Sequence, residues 1–232
     1  MASRRSVRLF PMRRVAIDDL IASPESVFEL RELLSHGGLL ALPTETYYAL
    51  SADPDNEAGV RRIFAAKGRD DGKPLPVLFG ARSQLERIGV SAAAASLEHF
   101  FQIWPAPLTV VLPVRRPLAA SRGVPTLGVR LPASQKVRAL LARLGPVTGT
   151  SLNRSGRPPL DDPDQVEALF RRDIDVLVDG GKTPGGKPST LVDATVDPPE
   201  VLREGAFPWP ARASRGSAAR PPAQTEDRPR RL

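Results

Sequence analysis

The sequence predicts an α/β domain built on a largely buried sheet, and three observations lead to this prediction. Short apolar segments, typical of buried strands, alternate along the chain with amphipathic segments of about ten residues, typical of helices. The chain has 232 residues, of which 41% are hydrophobic, and this is enough for a substantial core. It contains no cysteine, so no disulfide framework can replace such a core. We expect a single domain over residues 15–210, with no internal repeat.

The first predicted helix begins at Ser23-Pro24-Glu25. A hydroxyl N-cap is followed there by a proline at the first helical position and an acid in the first turn. Gly37-Gly38 ends this helix. The apolar run Leu39–Leu42 is then cut off by Pro43, as expected for a short buried strand that leads into a loop at its carboxyl end. That loop contains Thr44-Glu45-Thr46.

The rest of the body continues to alternate between capped helices and apolar strands. Asn56 and Ser134 are the predicted N-caps of two helices, and Ser91 opens an alanine-rich helix that ends at Trp104-Pro105. A further helix is predicted near Pro163–Phe170. The predicted strands are residues 75–79, 108–114, 126–131, a short one leading into Thr150, 174–178, 190–192 and 201–203.

Basic residues are concentrated at the two ends of the chain. Residues 1–14 carry five arginines and no acid, and residues 211–232 carry six arginines against two acids. Since the whole chain has a formal charge of +7, the body is close to neutral, at about −2. We expect both ends to be disordered, either as solubilising tails or as an electrostatic aid to holding a polyanion such as RNA.

The hydropathy pattern indicates a protein without a membrane partner. No apolar run reaches the roughly 20 residues of a membrane-spanning helix, and no signal peptide is recognisable. We therefore expect a cytoplasmic protein.

Three polar loops are candidate binding segments, and each has an ordinary structural alternative. Residues 67–74 place three cations and two glycines between a helix and a strand, which suits a triphosphate, although the P-loop pattern is absent and a solvated turn is the alternative. Residues 150–156 are rich in hydroxyl and amide groups that can hold anions, or that form an Asx or Ser/Thr turn. Residues 185–190 place glycines and a cation before hydroxyls, or form an ordinary glycine loop.

Other candidate residues are single, and their roles stay open or structural. Glu45 can orient a substrate or hold Mg²⁺ through water, or it can be a turn residue. His36 and His99 have no visible catalytic partner, and Trp104 before a proline suggests core packing. Serine hydrolase chemistry is not indicated, because the sequence has no G-x-S-x-G elbow.

Taken together, six stretches of the chain resemble the YrdC-like family of L-threonylcarbamoyladenylate synthases. They occur in the family's order and cover most of residues 25–206. The stretches are residues 42–50, 66–75, 104–109, 126–132, 150–156, and 189–193 with 202–206.

The resemblance implies a fold, a reaction and partners. The fold is a single YrdC-like domain of the short type, with a twisted mixed sheet flanked by helices around a concave basic cavity. The reaction joins L-threonine, bicarbonate and ATP, with Mg²⁺ accompanying ATP, into threonylcarbamoyl-AMP and pyrophosphate. Threonylcarbamoyl-transfer proteins then modify adenosine 37 of tRNA, and tRNA itself is a possible contact of this chain.

The resemblance also assigns roles to residues, and it implies no metal-ligand set. The family's catalytic quartet corresponds to Lys67, Arg69, Ser151 and Asn153. Positions that contact ATP correspond to Arg69, Lys73, Thr126, Ser151 and Arg203. Positions that line the threonine pocket correspond to Thr44, Thr46, Arg130, Gly149 and Ser189.

The chain departs from the family pattern at several positions. Ala49 and Ser51 stand where glycines are common, Ala106 replaces another glycine, and Leu152 replaces an alanine beside the candidate anion loop. Leu78 stands where some members have a histidine. These departures keep an alternative open, namely a YrdC-fold protein that binds nucleotide or double-stranded RNA without synthase activity. The near-neutral charge of the body and the aromatic content of 5% argue against an RNA-binding module.

Overall fold

The computed structural model describes residues 12–68 and 72–209, and it confirms the α/β class. Helices and strands alternate, with one 3₁₀ turn at Ala119–Ser121. The helices are α1 (Ile17–Ala22), α2 (Pro24–Ser35), α3 (Glu57–Lys67), α4 (Ser83–Arg87), α5 (Ala94–Ile103), α6 (Gln135–Leu144) and α7 (Pro163–Phe170). The strands are β1 (Arg13–Ala16), β2 (Leu40–Pro43), β3 (Tyr48–Ser51), β4 (Val77–Leu78), β5 (Leu108–Pro113), β6 (Thr126–Arg130), β7 (Val147–Thr148), β8 (Thr150–Ser151), β9 (Val176–Asp179), β10 (Thr190–Asp193) and β11 (Glu200–Arg203).

The strands form two mixed sheets where the sequence predicted one. The first sheet has the order β1-β9-β2-β3-β8, and the second has the order β11-β10-β5-β6-β4-β7. Each contains parallel pairs, such as β2 with β9 and β4 with β6, and antiparallel pairs, such as β2 with β3 and β5 with β6. Neighbouring strands are mostly distant in sequence, so strand patterns alone could not assign them to separate sheets.

Hydrophobic packing joins the two sheets. One cluster contains Leu50 of the first sheet and Val129 of the second, and another contains Leu42 of the first and Leu78 of the second. All four side chains are almost completely buried. The two sheets therefore pack against each other through shared hydrophobic clusters.

Three of the predicted helix caps are confirmed. The Ser23 hydroxyl accepts from the Ser26 N–H (3.0 Å), the Asn56 side chain accepts from the Gly59 N–H (2.9 Å), and the Ser134 hydroxyl accepts from the Val137 N–H (3.4 Å). The helix expected at Ser91 begins later, with Ala93 as its N-cap and no side-chain cap bond. The Ser91 N–H instead donates to the Pro113 carbonyl (2.9 Å), which places it beside the end of β5.

The N-terminal elements were not predicted. β1 begins at Arg13, inside the range assigned to the basic arm, and pairs in parallel with β9. The Arg14 side chain donates to Asp164 (2.6 Å), Glu167 (3.0 Å) and Asp179 (2.8 Å), and these contacts raise its pKa. The rest of the predicted arm and the tail over residues 211–232 lie outside the described residues. No helix within the described ranges is long and apolar enough to cross a membrane.

Candidate functional site

The end of α3 places a buried cation against the candidate anion loop. Gly68 ends the helix in the left-handed conformation, with φ of 68°, so that Lys67 is the last helical residue. Only 3% of Lys67 is exposed. Its ammonium donates to the Ser151 carbonyl (2.5 Å) and to the Asn153 side-chain oxygen (2.7 Å). The Ser155 N–H returns a hydrogen bond to the Lys67 carbonyl (2.8 Å), so the loop and the helix end hold each other.

Ser151 and Asn153 are positioned by the pairing of β8 with β3. Ser151 lies opposite Ala49 in that antiparallel pair. Its hydroxyl donates to the Asn153 side-chain oxygen (3.0 Å), and the Asn153 amide donates to the Arg157 carbonyl (2.6 Å). Three members of the expected catalytic quartet are thus in direct contact, and they form what we term the lysine cluster: Lys67, Ser151 and Asn153. The fourth member, Arg69, lies outside the described residues.

A second polar group joins the two sheets. Glu45, in the loop between β2 and β3, accepts a hydrogen bond from Arg130, the last residue of β6, and the two side chains form a salt bridge. Thr44 and Thr46 are buried on either side of Glu45, with their hydroxyls 3.0 Å apart. We term these four residues the arginine cluster: Thr44, Glu45, Thr46 and Arg130.

Ser189 and Arg203 lie next to the arginine cluster. Arg203 donates to the Ser189 carbonyl (2.9 Å), and the Ser189 hydroxyl lies 2.9 Å from the hydroxyl of Thr109. Thr109 is adjacent to Arg130, because the neighbouring residues Val110 and Val129 are opposite each other in the β5–β6 pair. Desolvation and the positive charge of Arg130 lower the pKa of Arg203. Two guanidinium groups therefore act on each other across this part of the site.

The two clusters are connected through Leu78 and Gly149. Leu78 is the register partner of Arg130 in the parallel β4–β6 pair. A Cβ on Gly149 would lie 2.4 Å from the Leu78 side chain, so the two residues are in close contact. Gly149 and Ser151 are two residues apart, which limits their Cα separation to about 7 Å. The arginine cluster and the lysine cluster therefore belong to one region between the sheets.

Two of the expected ATP-contacting residues lie at the start of β6 and in the segment before β4. Thr126 begins β6, and the strand rise places it about 13 Å along the strand from Arg130. Thr126 and Arg130 share one face of β6, while Leu127 and Val129 between them are buried in the core on the other face. Lys73 is exposed in the segment that leads into β4.

The positions that depart from the family pattern are buried in the core. Ala49, Leu78 and Leu152 are each at most 4% exposed. Leu152 belongs to the larger hydrophobic cluster, so its side chain packs into the core. These three departures therefore lie in the hydrophobic core.

Hydrogen bonds connect the glycine-rich loop around Gly185 and Gly186 to the loop that carries Glu45. The Gly185 N–H and the Thr183 hydroxyl donate to the Thr46 carbonyl at 2.7 and 3.1 Å. The Tyr47 hydroxyl donates to the Gly186 carbonyl (2.5 Å). Sequence reasoning missed Thr183 as a site residue, and the hydroxyl preceding the glycine pair was the available signal.

The arrangement can hold anions by charge and by hydrogen bonds. It supplies the cations Lys67, Arg130 and Arg203 together with several hydroxyl groups. Within residues 12–68 and 72–209, no group of three or more His, Cys, Asp or Glu side chains could hold a metal ion.

Comparisons with known proteins identify similar chains. The Sua5–YciO–YrdC family model, described as "Telomere recombination", matches residues 32–205. Threonylcarbamoyl-AMP synthase of Pyrococcus abyssi is 37% identical over 180 residues, covering 75% of this chain and 52% of that protein. The Bacillus subtilis protein of the same name is 32% identical, covering 81% of this chain and 56% of its own length. This chain thus spans about half the length of these two relatives. The Thiobacillus denitrificans protein of that name is 34% identical, covering 71% of this chain and 88% of its own length.

Solved structures are similar in fold. A crystal structure of P. abyssi Sua5 complexed with L-threonine has a TM-score of 0.73 at 33% identity, over 84% of this chain and 57% of that one. Escherichia coli YciO has a TM-score of 0.69 at 26% identity, over 79% of this chain and 90% of that one. The expected fold is confirmed by these structures, in which the same α/β architecture occurs.

Proposed function

The chain belongs to the Sua5–YciO–YrdC family, and from this premise we propose that it is an L-threonylcarbamoyladenylate synthase. It would make threonylcarbamoyl-AMP and pyrophosphate from L-threonine, bicarbonate and ATP. The observation that carries the proposal is the direct contact of Lys67, Ser151 and Asn153 in the same region as Arg130. The name of the synthases that are 32–37% identical to this chain supports the same reaction.

The physical problem of this reaction is the repulsion between its reactants. The amine of threonine must attack bicarbonate, with loss of water, to form a carbamate, and a carbamate oxygen must then attack the α-phosphorus of ATP while pyrophosphate leaves. Threonine carboxylate, bicarbonate and triphosphate are all anions. A site that offers several fixed cations offsets their repulsion and holds them in order, without a covalent intermediate on the protein.

We assign roles to residues on this basis. Lys67 stabilises negative charge on the nucleotide, and Ser151 and Asn153 fix phosphate or carbamate oxygens. Arg69, Lys73, Thr126 and Arg203 complete the ATP site. Threonine occupies the part of the site lined by Thr44, Thr46, Arg130, Gly149 and Ser189.

Mg²⁺ enters this proposal as part of the nucleotide substrate. The donor set of the described residues does not fit a resident metal, because it lacks a cluster of acidic or histidine ligands. An ion carried by the phosphates of ATP neutralises the leaving pyrophosphate. Lys67, Ser151 and Asn153 stabilise the negative charge of the nucleotide phosphates through hydrogen bonds.

The product of this reaction is a mixed anhydride that must be passed on. We propose that threonylcarbamoyl-transfer proteins receive it in the cytoplasm and modify adenosine 37 of tRNA. Contact between the basic ends of the chain and tRNA is a separate proposal. Removal of residues 211–232 would weaken RNA binding if those residues contribute, and unchanged RNA affinity would count against it.

Incorporation of radiolabelled L-threonine into the adenylate tests the synthase proposal. The wild-type chain is expected to form the labelled product, and Lys67→Ala and Ser151→Ala are expected to reduce the rate on the order of 100-fold. Lys136→Ala and Ser35→Ala are matched controls, because Lys136 pairs with Asp18 on the surface and the Ser35 hydroxyl donates to a helix carbonyl. Near wild-type rates for the first two variants would reject the assignment.

The alternative is a family member that binds nucleotide or double-stranded RNA without making the adenylate. The likeness to YciO extends over 90% of that chain, so family membership alone does not specify the reaction. ATP binding without threonine-dependent pyrophosphate release would favour this alternative.

A further inference from the structure

The Glu45–Arg130 pair is a buried ion pair that links the two sheets. The Arg130 side chain is 7% exposed and the Glu45 side chain is 15% exposed. Arg130 ends β6 of the second sheet, whereas Glu45 lies in the loop that follows β2 of the first. Among the described residues, Arg130 donates a side-chain hydrogen bond to Glu45, 85 residues away, so this carboxylate helps to determine where the guanidinium lies.

The pair is incomplete. One nitrogen of Arg130, Nη2, donates to one oxygen of Glu45, Oε1. Arg130 Nε and Glu45 Oε2 are both buried and have no hydrogen-bond partner among the described residues. Arginine and carboxylate commonly pair through two parallel hydrogen bonds, and a buried polar atom without a partner is costly. The single contact therefore orients the guanidinium without using its full donor capacity.

The charge around the pair favours a further anion. Arg203 is close enough for the charge of Arg130 to lower its pKa. Arg203 contacts Ser189, whose hydroxyl lies 2.9 Å from that of Thr109, the neighbour of Arg130 on β5. The two guanidinium groups and the carboxylate of Glu45 together carry a charge of +1. A ligand carboxylate placed between Arg130 and Arg203 would balance that charge.

We propose that Glu45 is a positioning residue that holds Arg130 so that its guanidinium, together with that of Arg203, binds the carboxylate of the amino-acid substrate. This inference rests on the function proposed above, because it takes L-threonine as the ligand of this part of the site. Glu45 acts through Arg130 and does not touch the substrate.

Binding of L-threonine without ATP or bicarbonate tests this role. Glu45→Gln keeps the shape of the side chain and removes its charge, and its affinity for threonine is expected to fall about 10-fold or more. Affinity for ATP is expected to change less than about 2-fold. Glu98→Gln is the matched control, since Glu98 forms an exposed ion pair with Arg82 (2.8 Å). Thermal unfolding of each variant shows whether it is folded.

A double-mutant cycle separates positioning from direct contact. In the Arg130→Gln background, Glu45→Gln is expected to cause less than about a 2-fold further loss of threonine affinity, because the residue through which it acts is already removed. Additive losses would overturn the proposal. Glu45→Asp, which keeps the charge, is expected to recover part of the affinity, and an Asp variant as weak as Glu45→Ala would also overturn it.

L-Threoninol provides a third readout, because it carries a hydroxymethyl group in place of the carboxylate. Competition against threonine should show nearly equal L-threoninol affinity in wild type and Glu45→Gln. An equal loss for both ligands would mean that Glu45 contacts the ammonium or the hydroxyl, and would refute the positioning role. The synthase proposal fails differently: a wild-type chain that binds threonine but forms no adenylate refutes the reaction and leaves the effect of Glu45 on binding measurable.

Discussion

Replacement of Gly149 by alanine tests the contact that connects the two clusters. A Cβ at this position would lie 2.4, 2.8 and 2.9 Å from three atoms of the Leu78 side chain, well inside van der Waals contact. Gly149 is not among the glycines with positive φ, so the expected cost is steric and not conformational. Overpacking of this kind destabilises a protein by about 1–3 kcal/mol. We expect Gly149→Ala to lower the free energy of unfolding by this amount and to weaken threonine binding, because Gly149 itself lines the proposed threonine pocket.

A urea-unfolding cycle with Leu78→Ala identifies the cause. All three clashing atoms lie beyond the Cβ of Leu78, so Leu78→Ala removes every one of them. Alone it should cost about 2–5 kcal/mol by creating a cavity. In that background Gly149→Ala should be neutral or stabilising, because its methyl group enters the cavity. Losses that add within about 0.5 kcal/mol would refute the contact between these residues.

Three further predictions concern buried or paired groups. The Ser51 hydroxyl is fully buried and has no hydrogen-bond partner among the described residues. Ser51→Ala should therefore raise the free energy of urea unfolding by about 1 kcal/mol. A decrease of that size in the free energy of unfolding would contradict this prediction. Burial raises the pKa of Tyr48 from 10.0 to about 12. The contribution of Tyr48 to the free energy of unfolding should therefore be complete below pH 10 and decline as the pH rises from 10 to 12. Tyr48→Phe should abolish this decline in alkaline denaturation. The hydrogen bond from Arg116 lowers the pKa of Asp55 below 3.8. The small stabilisation of the fold by this ion pair should therefore disappear when the pH falls below that value. Wild type and Arg116→Met should then have the same free energy of unfolding in acid denaturation.

Local features of the fold were predictable from the sequence, and pairing between distant strands was not. The side-chain caps at Ser23, Asn56 and Ser134 depend on residues within one turn, and all three were correct. β1 was missed because its arginines resemble those of the preceding basic segment, although Arg14 is held by acids more than 100 residues away. The division into two sheets depends on contacts of the same long range.

The candidate site was predictable as a set of loops, but its internal contacts were not. The polar loop after residue 149 and the lysine at the end of α3 were recognised from their residue types, and the structure brings Lys67 onto Asn153 at 2.7 Å. The pairing of Glu45 with Arg130 spans 85 residues and two sheets, so no spacing rule indicated it. Leu152 shows the opposite case, because it lies in the candidate anion loop and yet packs in the hydrophobic core.

Pyrophosphate release by the wild-type chain, measured with L-threonine, bicarbonate and ATP present together and then withheld one at a time, tests the central claim most directly. We predict release that requires all three reactants, because one site must hold the three anions together before the carbamate reaches the α-phosphorus. Release from ATP that continues at the same rate without threonine or without bicarbonate would contradict the account, as would no release with all three present.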